Sequence, residues 1–91
     1  MTRVLIIDDE DLVRSAFRMA LERAGFEIME AASGRLGVGC LVEHGADLVI
    51  TDLIMPDKDG FETIEEIRNL QPAIPIIVVT GGGPAGPQRL M

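Results

Sequence analysis

The apolar residues of the chain fall into short runs separated by amphipathic stretches. Residues 3–8 and 47–52 are nearly continuous apolar runs that end in aspartate, and residues 76–80 form a third such run ending in threonine. Runs of this kind, rich in β-branched residues, are typical of strands buried on both faces. Residues 26–31 alternate apolar and acidic side chains, which predicts a strand with one exposed face, nearer an edge of the sheet.

Helices are predicted between these strands. Apolar residues recur at three- and four-residue steps between residues 12 and 24, and Gly25 follows as a stop. A second helix is predicted from Ser33, as N-cap, to about Glu43. Its interior contains glycines, each of which costs up to about 1 kcal/mol relative to alanine.

A third helix is predicted after Asp59, whose carboxylate can cap its first turn. The apolar residues expected on its inner face are Phe61, Ile64, Ile67 and Leu70.

The alternation of strands and helices predicts an α/β fold, with right-handed crossovers and a parallel sheet covered on both faces. An apolar content of 47% in 91 residues suits one compact domain, which we assign to residues 1–80. Residues 81–91 contain four glycines and two prolines, a composition that predicts a loop or a frayed tail.

Charge and hydropathy narrow the classes of function. Acidic residues outnumber basic ones 15 to 8, giving a formal charge of −7, and no basic cluster is present that could neutralise a row of phosphates. We therefore expect no direct binding to nucleic acid. No apolar run approaches the roughly 20 residues that span a bilayer, so we expect no membrane association and a cytoplasmic location.

The residues that end the apolar strands are the candidates for a functional site. Carboxyl ends of parallel strands meet along one rim of the sheet, where such folds bind ligands, and Asp8, Asp9, Asp52 and Thr80 are all predicted to lie there. Three carboxylates in one crevice repel one another unless a cation joins them. Mg²⁺ prefers carboxylate oxygens and leaves room for phosphate oxygens in its shell, so the cluster suggests phosphoryl chemistry.

Each of these residues also has a simpler interpretation. The Asp8–Asp9 pair can serve as a helix cap, Asp52 can be a loop acid, and Thr80 can be an ordinary strand residue. Their joint placement on one rim favours a site. The only histidine, His44, ends a helix far from this rim, so a carboxylate is the expected nucleophile.

Three segments of the chain resemble the receiver domains of two-component signalling. Residues 6–10 are similar to the family's acid pair, residues 52–60 to its phosphoacceptor segment, and residues 80–81 to its switch hydroxyl followed by a small residue. The resemblance implies a flavodoxin-like doubly wound sheet with strand order 2-1-3-4. It also implies a response regulator that acts in phosphorelay signal transduction.

The resemblance implies a role for each matching residue. Asp52 corresponds to the phosphoacceptor, which takes a phosphoryl group from the phosphohistidine of a sensor histidine kinase or phosphotransfer protein. Asp8, Asp9, Asp52 and the backbone carbonyl of Ile54 correspond to the Mg²⁺ ligands, and Thr80 to the switch hydroxyl. Such a domain catalyses its own phosphotransfer and dephosphorylation and is not a turnover enzyme.

One departure from the family pattern concerns the end of the domain. The family carries a lysine at the end of a fifth strand, and nothing after Thr80 resembles that strand or the last helix. We therefore expect a truncated receiver whose fourth strand has an exposed edge and self-associates.

The sequence also allows two alternative functions. One alternative is a receiver-like interaction module that is not phosphorylated. The other is an aspartyl-phosphate phosphohydrolase, but Asp8-Asp9-Glu10 lacks the Asp-x-Asp spacing of its best-known family.

Overall fold

The computed structural model describes residues 1–53 and 60–79, which form four strands and three helices in strict alternation. In chain order these are β1 (Arg3–Ile7), α1 (Asp11–Arg23), β2 (Glu27–Ala31), α2 (Gly34–His44), β3 (Leu48–Asp52), α3 (Gly60–Leu70) and β4 (Ile76–Val79). No helix within this part of the chain is long and apolar enough to cross a membrane.

The four strands make one parallel sheet in the order β2-β1-β3-β4. This order, and the helices between successive strands, confirm the flavodoxin-like α/β fold expected from the sequence. The register pairs Ile7 with Thr51, so the residues that follow, Asp8 and Asp52, emerge side by side at the carboxyl rim. The predicted edge position of β2 is also confirmed.

The core lies on both faces of the sheet because alternate residues of each strand point in opposite directions. On one face the fully buried side chains of Leu5, Ile7 and Val49 pack with residues of α2 and α3. On the other face Val4, Ile6 and Ile50 are covered in part by Phe17 and Leu21 of α1 and by neighbouring strand residues. The central strands β1 and β3 therefore hold the rim residues on a rigid platform.

Helix α2 begins as the sequence predicted. The hydroxyl of Ser33 accepts a hydrogen bond from the backbone N–H of Leu36 at 3.1 Å, which satisfies one of the unpaired donors of the first turn. One of its glycines has a packing role: a Cβ atom at Gly37 would collide with the side chain of Ile7 in β1. Gly37 therefore allows the helix to lie close against the sheet.

The predicted inner face of α3 was partly wrong. Ile67 is fully buried, but Phe61 is 71% exposed and Leu70 is 46% exposed. The buried face instead contains Gly60, Thr63 and Ile67. A Cβ atom at Gly60 would overlap the backbone of residue 53, so the helix turns its glycine side towards β3, and that contact sets its rotation.

Three predictions fall outside the described residues. They concern the cap at Asp59, the tail over residues 81–91, and the boundary of the domain at residue 80.

Candidate metal centre

Three of the four predicted rim residues come together at the carboxyl ends of β1 and β3. Asp8, Asp9 and Asp52 each offer one carboxylate oxygen, and these oxygens lie within 4.8 Å of one another. Asp8 and Asp52 are buried, whereas Asp9 is exposed. Oxygen donors at this separation suit a hard divalent cation such as Mg²⁺, which retains waters or accepts phosphate oxygens in its remaining positions.

The backbone around Asp8 is held by hydrogen bonds on both sides. Its N–H donates to the carbonyl of Ala31 at the end of β2, at 3.0 Å, and so extends the ladder between β1 and β2 by one residue. Its carboxylate oxygen Oδ1 accepts from the N–H of Glu10 at 2.8 Å. This turn after β1 directs the Asp8 side chain towards the end of β3, where Asp52 lies.

The electrostatics of the cluster disfavour its negative charge when no cation is bound. Burial raises the pKa of Asp8 above its ordinary value of 3.8, the hydrogen bond from Glu10 lowers it, and the charges of Asp52, Asp9 and Glu10 raise it again. The net shift of the Asp8 pKa is upward. A divalent cation would remove this repulsion, because it favours the charged form of every carboxylate around it.

Arg14, to which the sequence analysis assigned no role, lies directly behind the acidic cluster. Nη1 of Arg14 donates to the backbone carbonyl of Asp8 at 2.6 Å. Nε of the same side chain donates to Glu30 at 3.0 Å, and Nη2 to Asp11 at 2.6 Å. The spacing of Asp11 and Arg14 on one helix was the only local signal of this network.

The segment after Asp52 is only partly described. The N–H of Gly60 donates to the carbonyl of Leu53 at 2.6 Å, which ties the start of α3 to the end of β3. The Thr51 hydroxyl donates to the carbonyl of Asp52 at 3.0 Å. Ile54 and Thr80, the predicted carbonyl ligand and switch hydroxyl, lie outside the described residues.

The sequence matches the response regulator receiver domain family over residues 4–86. The chain belongs to this family. Receiver domains are signalling switches of two-component systems, so the fold and the family expected from residues 6–10, 52–60 and 80–81 are confirmed.

Curated relatives include regulators much longer than this receiver domain. The transcriptional regulatory protein ResD of Bacillus subtilis is 40% identical over 82 residues, which cover 90% of this chain and 34% of ResD. The chain therefore spans about a third of the length of this relative.

Solved structures of receiver domains share the same architecture. The response regulator TrrA of Thermotoga maritima, crystallised in complex with Mg²⁺-BeF, is 35% identical with a TM-score of 0.84, over 88% of this chain and 70% of that one. A structure of the histidine kinase ThkA in complex with TrrA matches with 34% identity and a TM-score of 0.84, over 91% of this chain and 72% of that one. TrrA is therefore bound to a kinase in one of these structures and to Mg²⁺-BeF in the other.

Proposed function

We propose that this receiver domain is a phosphorelay switch, in which Asp52 accepts a phosphoryl group from the phosphohistidine of a histidine kinase in a reaction that depends on Mg²⁺. The observation that carries the proposal is the convergence of Asp8, Asp9 and Asp52, with carboxylate oxygens within 4.8 Å of one another at the rim of the sheet. The matching structures with a kinase and with Mg²⁺-BeF support it.

The three carboxylates have different roles, which follow from their positions. Asp52 ends β3 on the rigid platform of the sheet, so its carboxylate can attack phosphorus while the imidazole of the donor leaves. Asp8 and Asp9 would hold Mg²⁺ together with Asp52. The cation would supply neutralising charge for the phosphoryl oxygens.

Two further residues enter the proposal through the family resemblance. The backbone carbonyl of Ile54 would add an oxygen ligand for the cation. The hydroxyl of Thr80 would bond a phosphoryl oxygen and so report phosphorylation to the neighbouring surface.

A titration with Mg²⁺ tests the metal part of the proposal. Asp9→Asn removes one carboxylate from the cluster and should weaken Mg²⁺ affinity by about 10-fold or more, since a ligand and its charge are both lost. Isothermal calorimetry on the folded protein measures this change. Glu10→Gln is the matched control, because it removes the same charge one residue away and outside the cluster, and it should change the affinity much less.

Equal losses of Mg²⁺ affinity in the two variants would mean that binding depends only on the negative charge of this region and not on the carboxylate of Asp9 as a ligand. Absence of Mg²⁺ binding to the unsubstituted chain would favour the alternative function, an interaction module with a receiver fold that is not phosphorylated.

A further inference from the structure

The guanidinium group of Arg14 bonds three different residues, one of which belongs to the acidic cluster. All three guanidinium nitrogens donate: Nη1 to the Asp8 carbonyl, Nε to Glu30 of β2, and Nη2 to Asp11 of its own helix. Its side chain is only 14% exposed. The guanidinium therefore joins the first turn of α1, the end of β1 and the strand β2 behind the metal centre.

Arg18, one turn along the same helix, provides an internal comparison. It donates to the other carboxylate oxygen of Glu30 at 2.5 Å and to Glu22 at 3.2 Å. Its side chain is 50% exposed, and its hydrogen bonds do not reach the β1–α1 turn. The two arginines thus carry the same charge and both bond Glu30, but of the two only Arg14 bonds the backbone of an acidic residue in the cluster.

From this difference we propose that Arg14 is a positioning residue, which fixes the backbone of Asp8 so that the carboxylates of Asp8 and Asp9 are presented to a bound cation. The Asp8 peptide groups are then held at both ends, by Ala31 on the N–H side and by Arg14 on the carbonyl side. The inference rests on the proposed function, because it assigns the cation to the same site.

The sign of the effect separates positioning from simple electrostatics. A positive guanidinium close to a cation site repels the cation, so a purely electrostatic Arg14 would weaken Mg²⁺ binding and its removal would strengthen it. A residue that orients the ligands strengthens binding instead. Loss of partners that orient metal ligands commonly reduces affinity by about 10- to 100-fold.

The test compares Arg14→Met, which keeps much of the side-chain volume, with Arg18→Met, which removes the same charge from the same partner, Glu30. We expect Arg14→Met to weaken Mg²⁺ affinity by about 10-fold and Arg18→Met to change it less than about 2-fold. Arg14→Lys retains the charge but cannot reproduce the planar three-way geometry, so it should also weaken binding. Unchanged or tighter binding in folded Arg14→Met would overturn the proposal.

A second readout needs no metal. The amide of Glu10 donates to the Asp8 carboxylate, so its hydrogen exchange reports whether that turn is held. In the metal-free protein it should exchange about 10-fold faster in Arg14→Met and at the original rate in Arg18→Met. Equal exchange rates in the two variants would contradict the positioning role, even if the chain bound no Mg²⁺. If the exchange rates differed as expected but the chain bound no Mg²⁺, the proposed function alone would be contradicted.

Should Arg14→Met not fold, Glu30→Gln keeps an acceptor for Arg14 but loses the ionic part of the contact. In the metal-free protein the Glu10 amide should then exchange faster by a smaller factor, about 2- to 5-fold. An unchanged exchange rate in that variant would overturn the proposal.

Discussion

Asp8 is a buried carboxyl whose pKa lies above 3.8, with burial as the main cause and the charges of Asp52 and Asp9 as further ones. Well below pH 3.8 this group is protonated in both the folded and unfolded chain, so it does not affect stability. As the pH rises from there through the folded-state pKa, the unfolded chain loses the proton first. The free energy of unfolding therefore falls over this window, and the penalty is complete above it.

Asp8→Asn removes this penalty and retains an oxygen that can accept from Glu10. Without metal, the variant should be more stable than the original chain at neutral pH, by about 1 to 3 kcal/mol, because it no longer buries a charge beside other carboxylates. The advantage should shrink towards pH 3.8. Urea denaturation in EDTA at a series of pH values measures it, and two stability curves that stay parallel across the window would refute the interpretation of Asp8.

The position of the acidic residues could be predicted from the sequence, whereas that of Arg14 could not. Asp8 and Asp52 directly follow or end apolar runs, and a parallel sheet brings such ends together whatever the details of packing. Arg14 depends on the Asp8 carbonyl, on Asp11 and on Glu30 of another strand. Only the three-dimensional arrangement of helix and strand shows that these partners coincide.

At the scale of elements, local signals set the ends of helices and close packing sets their rotation. Ser33 was a reliable marker of the start of α2 because capping involves only neighbouring residues. The inner face of α3 was misjudged because its apolar pattern also fitted Phe61 and Leu70. The close approach of Gly60 to residue 53 is a tertiary contact that no periodicity reveals.

Two glycines in α2 give opposite predictions for the same substitution. A Cβ atom at Gly37 would collide with Ile7, so Gly37→Ala should destabilise the protein, by about 1 to 3 kcal/mol. A Cβ atom at Gly39 meets nothing within 4 Å, so Gly39→Ala should stabilise it, by about 0.5 to 1 kcal/mol through helix propensity. Urea denaturation of both variants decides the matter, and a stabilising Gly37→Ala would show that α2 does not lie so close to the sheet.

At the scale of the whole molecule, the two edges of the described sheet differ in character. The edge strand β2 carries Glu27, which is paired with Arg3 at 3.2 Å, and charged groups of this kind discourage pairing with another chain. Strand β4 is the opposite edge strand of the described residues, and the prediction that it is buried on both faces was wrong: Ile77 is 49% exposed and Val78 is 39% exposed. The apolar edge is the one suited to association.

We therefore predict that the 91-residue chain forms dimers or larger oligomers at micromolar concentration through β4. Ile77→Lys places a charge on that strand and should shift the population towards monomer. Val42→Lys is the control, because Val42 is equally apolar and 67% exposed but lies on α2. Sedimentation velocity distinguishes these outcomes, and a monodisperse monomer of the unsubstituted chain would contradict the prediction.

The proposed function requires above all that Asp52 is the phosphoacceptor of this receiver domain. Incubation with acetyl phosphate and Mg²⁺, followed by peptide mapping by mass spectrometry, tests this role. We expect one phosphoryl group, located on Asp52, that is absent without Mg²⁺ and absent in Asp52→Asn because an amide cannot act as the nucleophile. A phosphoryl group on Asp8, Asp9 or Asp57, or none on a chain that binds Mg²⁺, would contradict it.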